Sequence, residues 1–236
     1  MPVAQVNGIE LYYECLGAGK PIVLIPGLGA DSKVFMPLAT DLSAGGAVVV
    51  LDPRGAGRSS KPREAYTIEE MAEDVSGLIH ELGLGPASVV GYSLGGRIAL
   101  CLAARHPDQV GRLVLAATSA RDEPSRPFGL RRLLIGMSAH LPKGRSSASQ
   151  PGYAFANQRN AAKAFDGRPL LGSIETPTLV IRATRDRIVP RRLSGELLGI
   201  SGARATELAG GHFSMLMARH RELAAEIVRF LNQGDR

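Results

Sequence analysis

Cysteine is scarce and tryptophan is absent from this chain of 236 residues. The two cysteines, Cys15 and Cys101, are too few for a disulfide scaffold or a zinc site built on cysteines. Both lie in apolar stretches, so we expect two small buried hydrophobic side chains in a reducing compartment. No apolar run approaches the roughly 20 residues that span a membrane, and the first residues lack the pattern of a secretory signal. We therefore expect a cytoplasmic protein without a membrane segment.

Aromatic residues are also few, at 5%, while the formal net charge is +6. Residues 121–171 contain nine basic and three acidic residues, so this segment carries the whole excess. A nucleic-acid interface normally shows a basic stripe with interleaved aromatics, and its absence argues against nucleic acid as a partner. The basic segment either attracts an anionic or carrier-bound substrate or is a solvated surface of an arginine-rich protein. Both interpretations stay open.

Short apolar runs alternate with amphipathic stretches along most of the chain. Asn7-Gly8, between two such runs, is typical of a tight hairpin. Helical spacing covers residues 68–82, where Thr67 and Glu70 form a capping-box pattern. Alternation of this kind predicts an α/β fold with a mostly parallel sheet and helices on both faces. The remaining predicted strands are residues 22–25, 47–51, 87–90, 110–117, 178–182 and 205–208, and the remaining predicted helices are 94–105, 191–198 and 215–231.

Residues 121–171 interrupt this alternation. Residues 128–141 have the spacing of a basic amphipathic helix, 142–153 are rich in Ser, Gly and Pro, and 153–165 have the spacing of a second helix. We interpret the segment as a short lid inserted into a core formed by residues 1–120 and 172–236.

The candidate nucleophile is Ser93, within residues 91–96, which read GYSLGG. The sequence G-x-S-x-G between a strand and a helix is the nucleophile elbow of serine hydrolases. The turn is so sharp that side chains at Gly91 and Gly95 would collide with neighbouring backbone. The alternative is a glycine-rich turn with an incidental serine.

A serine hydroxyl needs a base and an acid that orients the base. His212 is the best base because it follows a late strand, whereas His80, His106, His140 and His220 fall in less suitable places. Asp186, just beyond the predicted strand 178–182, is the best acid, and Asp122 is a weaker rival. An oxyanion hole also needs two backbone N–H groups. The amides of Leu94 and Leu28 are the candidates, the second from the loop PGLG at residues 26–29.

These motifs together resemble the α/β-hydrolase fold, in its single-domain group of esterases, lactonases and carbon–carbon hydrolases. The resemblance also rests on DPRGAGRS at residues 52–59 and on GHF at 211–213. It implies an eight-stranded sheet with one antiparallel strand near the start, a lid after the sixth strand, and neither a cofactor nor a metal. Family members commonly carry His-Gly where this chain has Pro26-Gly27, and their lids are often longer. Ser93 argues against the dehalogenase and epoxide-hydrolase branches, which use Asp at the elbow.

We therefore expect a serine hydrolase that cleaves a carboxylic ester, lactone or thioester of a small to medium organic substrate. The same three residues also suit carbon–carbon bond hydrolysis, perhydrolysis or a biosynthetic cyclisation. A non-catalytic ligand-binding protein of this fold is a further alternative. The oligomeric state is left open by the sequence.

Overall fold

An eight-stranded sheet runs through the computed structural model, which describes residues 2–123 and 150–233. Its spatial order is β1-β2-β4-β3-β5-β6-β7-β8. The predicted helix at 128–141, most of the predicted loop at 142–153 and His140 lie outside the described residues. The strands are β1 (Val3–Val6), β2 (Ile9–Leu16), β3 (Pro21–Ile25), β4 (Ala47–Leu51), β5 (Ala87–Tyr92), β6 (Val110–Ala116), β7 (Thr178–Ala183) and β8 (Arg204–Leu208).

Strand β2 runs in the opposite direction to all the other strands of this sheet. It pairs antiparallel with both β1 and β4, while β4, β3, β5, β6, β7 and β8 pair parallel. Asn7 and Gly8 connect β1 to β2 with φ values of 47° and 75°. Two consecutive positive φ angles are what a two-residue hairpin requires, so the predicted hairpin and the single antiparallel strand are confirmed.

Helices connect the parallel strands, and most of their predicted positions are confirmed. The predicted closing helix at 215–231 is wrong, because the chain turns near Ala218 and Arg219 and divides it into two helices. The predicted helix at 191–198 begins as an α-helix and continues as the 3₁₀ turn Glu196–Gly199. The helices of the described residues are α1 (Ser32–Leu42), α2 (Ile68–Glu81), α3 (Leu94–Arg105), α4 (Gly152–Ala164), α5 (Arg191–Gly195), α6 (His212–Met217) and α7 (His220–Leu231).

The sheet separates two apolar cores, which explains the nearly continuous apolar character of its strands β3, β4 and β7. Helices α2 and α3 cover one face, and α1 and α7 cover the other. Helix α4, from the segment interpreted as a lid, packs against the first core. Its residue Ala161 is buried there together with Phe165 and Leu171, which follow the helix.

The two cysteines differ in their exposure. Cys101 is buried in α3, as expected, but Cys15 is exposed, so its predicted burial is wrong. Strand β1 pairs with β2 only as far as Tyr12, so the end of β2 that carries Cys15 has β4 as its only neighbour. Within residues 2–123 and 150–233, no helix combines the length and apolar character needed to cross a membrane.

Candidate active site

Ser93 stands at the tip of a strained turn between β5 and α3. Its φ of 55° and ψ of −113° are rare for a residue with a side chain, and such strain is concentrated at functional sites. Three hydrogen bonds maintain this conformation. The Ser93 amide donates to the carbonyl of Ala116 at 2.9 Å, and the Ser93 carbonyl accepts from the amide of Gly96 at 3.1 Å and from the Thr118 hydroxyl at 2.6 Å. The turn is therefore held by its neighbours on both sides.

The glycines of this turn are required by space. A Cβ atom at Gly91 would lie 2.4 Å from the carbonyl oxygen of Gly95, and one at Gly95 would lie 2.1 Å from that of Ile25. Both distances are far below any real contact of a Cβ atom. The predicted steric reason for the two glycines is thus present in the structure, and for Gly95 the obstacle is the end of strand β3.

His212 lies between Ser93 and Asp186. Its Nε2 is 3.1 Å from the Oγ of Ser93, and its Nδ1 is 2.8 Å from the Oδ2 of Asp186. The His212 and Asp186 side chains are almost completely buried, with 6% and 5% of their surface exposed. If Nδ1–H donates to Asp186, then Nε2 is left to accept the serine proton. The structure thus brings together the three side chains that the sequence singled out.

Asp186 is fixed by the loop that follows β7. Its Oδ1 accepts hydrogen bonds from the amides of Ile188 and Val189, both at 2.8 Å. Its second oxygen is thereby directed to His212. Because the carboxyl ends of parallel strands meet at one edge of a sheet, β5, β7 and β8 deliver Ser93, Asp186 and His212 to a common place.

Tyr92 is a neighbour that the sequence analysis did not single out. Its hydroxyl donates to the backbone carbonyl of His212, and its ring meets the imidazole edge-to-face with 5.7 Å between ring centres. Burial, with a smaller contribution from the Asp186 carboxylate, raises the pKa of Tyr92 above its ordinary value. The phenol therefore stays neutral and remains a donor, which anchors the start of α6 to the residue before Ser93.

The loop PGLG at residues 26–29 lies directly beside Ser93. A Cβ atom at Gly27 would be 3.3 Å from the Ser93 Cβ, which leaves little room between the loop and the elbow. The Leu94 amide is the first of helix α3, and the first amides of a helix have no acceptor within it. The candidate oxyanion donors, Leu28 and Leu94, are therefore on the two segments that flank the serine.

The other described histidines lie on different elements. His106 is 3.0 Å from a carboxylate oxygen of Glu73, and His220 is 2.5 Å from one of Asp41. His80 is exposed on α2. Among the described residues, no three His, Cys, Asp or Glu side chains are grouped as metal ligands.

Known proteins similar to this chain share its architecture. A protein of Azorhizobium caulinodans provisionally named carbamate hydrolase RutD is 31% identical over 240 residues, which cover 89% of this chain and 91% of that protein. The crystal structure of an enol-lactonase from Burkholderia xenovorans LB400 is 32% identical, with a TM-score of 0.85, and the match covers 98% of this chain and 100% of that chain.

A meta-cleavage product hydrolase from Pseudomonas fluorescens IP01 has a TM-score of 0.83 at 22% identity, over 100% of this chain and 98% of that chain. This last likeness concerns the fold alone. A family model described as the alpha/beta hydrolase fold matches residues 20–155. The chain therefore belongs to the α/β-hydrolase fold family, and the enzymes named above are hydrolases.

Proposed function

We propose that this protein is a serine hydrolase that cleaves a carboxylic ester, lactone or thioester through an acyl-enzyme on Ser93. The observation that carries the proposal is the chain of hydrogen bonds from Ser93 through His212 to Asp186, with lengths of 3.1 and 2.8 Å. A histidine between a serine and a carboxylate is the arrangement that makes a hydroxyl nucleophilic.

The reaction has two halves. His212 Nε2 takes the Ser93 proton as Oγ attacks the carbonyl carbon of the substrate, and the resulting imidazolium protonates the departing alcohol or thiol. Water then attacks the acyl-enzyme, gives its proton to His212, and releases the acid as Ser93 recovers its hydrogen. Asp186 accepts from Nδ1 throughout and stabilises the imidazolium in both halves.

The charge that develops on the carbonyl oxygen needs donors that are already in place. The amides of Leu28 and Leu94 are the proposed donors, and one such donor is typically worth about 3 kcal/mol in the barrier. The position of Leu94 at the start of α3 adds the positive end of the helix dipole. Ser93 is only partly exposed and His212 is buried, so these interactions act in a poorly solvated site.

Lactones are the first class to test among the three substrate classes. The enol-lactonase is 32% identical over nearly the whole chain, which supports a cyclic ester as substrate. Ring opening of a lactone uses the same steps, except that the leaving alcohol remains attached to the acyl group. A panel of a lactone, short and long acyl esters and a thioester ranks the classes by kcat/KM.

The test of the proposal is the replacement of Ser93. Ser93→Ala is expected to keep the fold and to lose roughly 10⁴-fold or more in kcat on p-nitrophenyl acetate. Intact mass after treatment with a fluorophosphonate should show one adduct, mapped to Ser93, and none in the variant. Ser88→Ala, on the same strand, is the matched control and should behave as the unmodified protein. Activity that survives in Ser93→Ala would place the nucleophile elsewhere.

A further inference from the structure

The loop proposed to hold the oxyanion depends on contacts from outside itself. Pro26 has neither an N–H group nor a polar side chain, and Gly29 has a φ of 71°. The hydrogen bond from the Ala30 amide to the Gly27 carbonyl, at 3.1 Å, closes a turn but does not attach that turn to the rest of the protein. The attachment comes from helix α4, more than a hundred residues later in the chain.

Gln158 of helix α4 makes this attachment with both ends of its side-chain amide. Its Oε1 accepts from the Gly29 amide at 3.1 Å, and its Nε2 donates to the Arg54 carbonyl at 2.8 Å. The residue is completely buried, with 0% of its surface exposed. A buried carboxamide is costly unless its polar atoms are satisfied, and here the loop after β3 and the loop after β4 satisfy them.

Two neighbours complete the support around Gly29. The Nε2 of Gln150 donates to the Oε1 of Gln158 at 3.0 Å and to the Gly55 carbonyl at 2.8 Å. The ring of Phe155 packs so closely on Gly29 that a Cβ atom there would lie 2.9 Å from it. The side chains around α4 therefore restrict Gly29 both by hydrogen bonding and by contact.

We propose that Gln158 is a positioning residue for the oxyanion hole. It fixes the Gly29 amide, which follows Leu28 directly. The bond from the Ala30 amide to the Gly27 carbonyl holds the planar Gly27–Leu28 peptide, which carries the Leu28 N–H, so anchoring this turn limits how that N–H can turn away from Ser93. The inference rests on the proposed function, in which the Leu28 amide donates to the oxyanion that forms only in the transition state. Without the hydrogen bond to Gln158, the loop at residues 26–29 loses its alignment with Ser93.

The experiment measures catalysis per competent site rather than per mole of protein. Gln158→Ala is compared with Asn157→Ala, whose side chain donates to the carbonyls of Arg63 and Glu64 and lies away from the loop. Fluorophosphonate titration gives the concentration of reactive Ser93. Phenylboronic acid, which forms a tetrahedral adduct on a serine, reports the oxyanion hole through its inhibition constant.

Gln158→Ala is expected to lower kcat on p-nitrophenyl acetate about 10- to 100-fold, the range for a small misplacement of a reacting group. KM should stay within about twofold, and binding of phenylboronic acid should weaken in parallel with kcat/KM, because only transition-state interactions are lost. Asn157→Ala should leave all three values unchanged. Unchanged kcat and boronate inhibition in Gln158→Ala, with only a lower melting temperature, would make Gln158 structural and overturn the inference.

Gln158→Glu provides a second readout and decides the question if Gln158→Ala does not fold. A neutral carboxyl can accept from Gly29 and donate to Arg54, whereas an ionised one cannot donate and places negative charge near the oxyanion. Burial raises the pKa of such a carboxyl, so the ratio of kcat in Gln158→Glu to that of the unmodified protein should rise as the pH falls from about 8 to about 5.5. Taking the ratio at each pH removes the pH effects that the two proteins share. A flat ratio would contradict the proposal.

The two proposals fail in different ways. If Ser93→Ala keeps its activity, the proposed function fails whatever Gln158 does. If Ser93→Ala is inactive but Gln158→Ala keeps kcat and its boronate inhibition, only the role of Gln158 is refuted.

Discussion

At the scale of single residues, Asp186 uses its two oxygens for different purposes. One accepts from the amides of Ile188 and Val189, and the other faces His212. The first pair of bonds fixes the carboxylate in its own loop, so its orientation does not depend on the histidine. An amide side chain at this position can keep the loop contacts while it reverses the polarity toward the imidazole.

Asp186→Asn is therefore expected to preserve the fold and to lower kcat on p-nitrophenyl acetate by roughly 10⁴-fold. The new NH₂ group would favour the tautomer with the proton on Nε2, which cannot accept from Ser93. Steady-state kinetics and a thermal melt test this directly. The comparison variant is Asp122→Asn, which changes the rival acid and should retain activity. A loss in Asp122→Asn with none in Asp186→Asn would reverse the assignment.

Gly95 shows how a single residue is restricted by backbone alone. A methyl group there would lie 2.1 Å from the Ile25 carbonyl and 2.6 Å from the Pro26 carbonyl, and neither can move without disturbing β3. Gly95→Ala should cost about 3 kcal/mol or more in the free energy of unfolding. Gly172→Ala, where nothing lies within 4 Å, is the matched control and should change it by less than about 1 kcal/mol. Equal denaturation midpoints for the two variants would contradict this expectation.

At the scale of helices and strands, the start of α2 is determined by residues close to it in the sequence. The Thr67 hydroxyl accepts from the Glu70 amide at 3.2 Å, and the Glu70 carboxylate accepts from the Thr67 amide at 2.9 Å. This capping box confirms the predicted start of the helix. Two amides that the helix itself leaves without acceptors are satisfied, which stabilises its first turn.

Thr67→Ala removes one of these acceptors and should lower the free energy of unfolding by about 1 kcal/mol. Because α2 carries none of the proposed catalytic groups, kcat should not change. Urea denaturation and the esterase assay measure the two quantities. Thr40→Ala, an exposed threonine inside α1, should shift the unfolding free energy by less than about 0.5 kcal/mol. A drop in kcat for Thr67→Ala would show that the helix end influences the site.

At the scale of the whole molecule, the alternation of strands with helices and the three separated side chains could be anticipated because local signals mark them. Ser93, Asp186 and His212 each come shortly after a predicted strand, and parallel strands bring the residues beyond their carboxyl ends to one edge of the sheet. Their meeting point agrees with that expectation, while their catalytic roles remain predictions. The break between α6 and α7 was missed because the apolar spacing continues through it, although the backbone turns at Arg219.

Local sequence patterns could not predict the hydrogen bonds between distant residues that support the site. The bonds of Tyr92 to His212 and of Gln158 to Gly29 span 120 and 129 residues. One signal for Gln158 was nevertheless present. Ala154, Gln158, Ala161 and Phe165 follow helical spacing and are all buried, so a polar residue occupies the apolar face of α4. A buried polar side chain on such a face requires hydrogen-bond partners and therefore indicates a specific contact with another segment.

The separation of the reacting groups along the chain also bears on synthesis. His212 follows Ser93 by 119 residues, and β8, which leads to the histidine, is added at the far edge of the sheet. A nascent polypeptide on the ribosome would thus contain Ser93 long before it contains His212, the histidine proposed to activate it. Under the proposed mechanism, translation products that end before His212 should lack hydrolytic activity, so turnover would report only chains that extend beyond this residue.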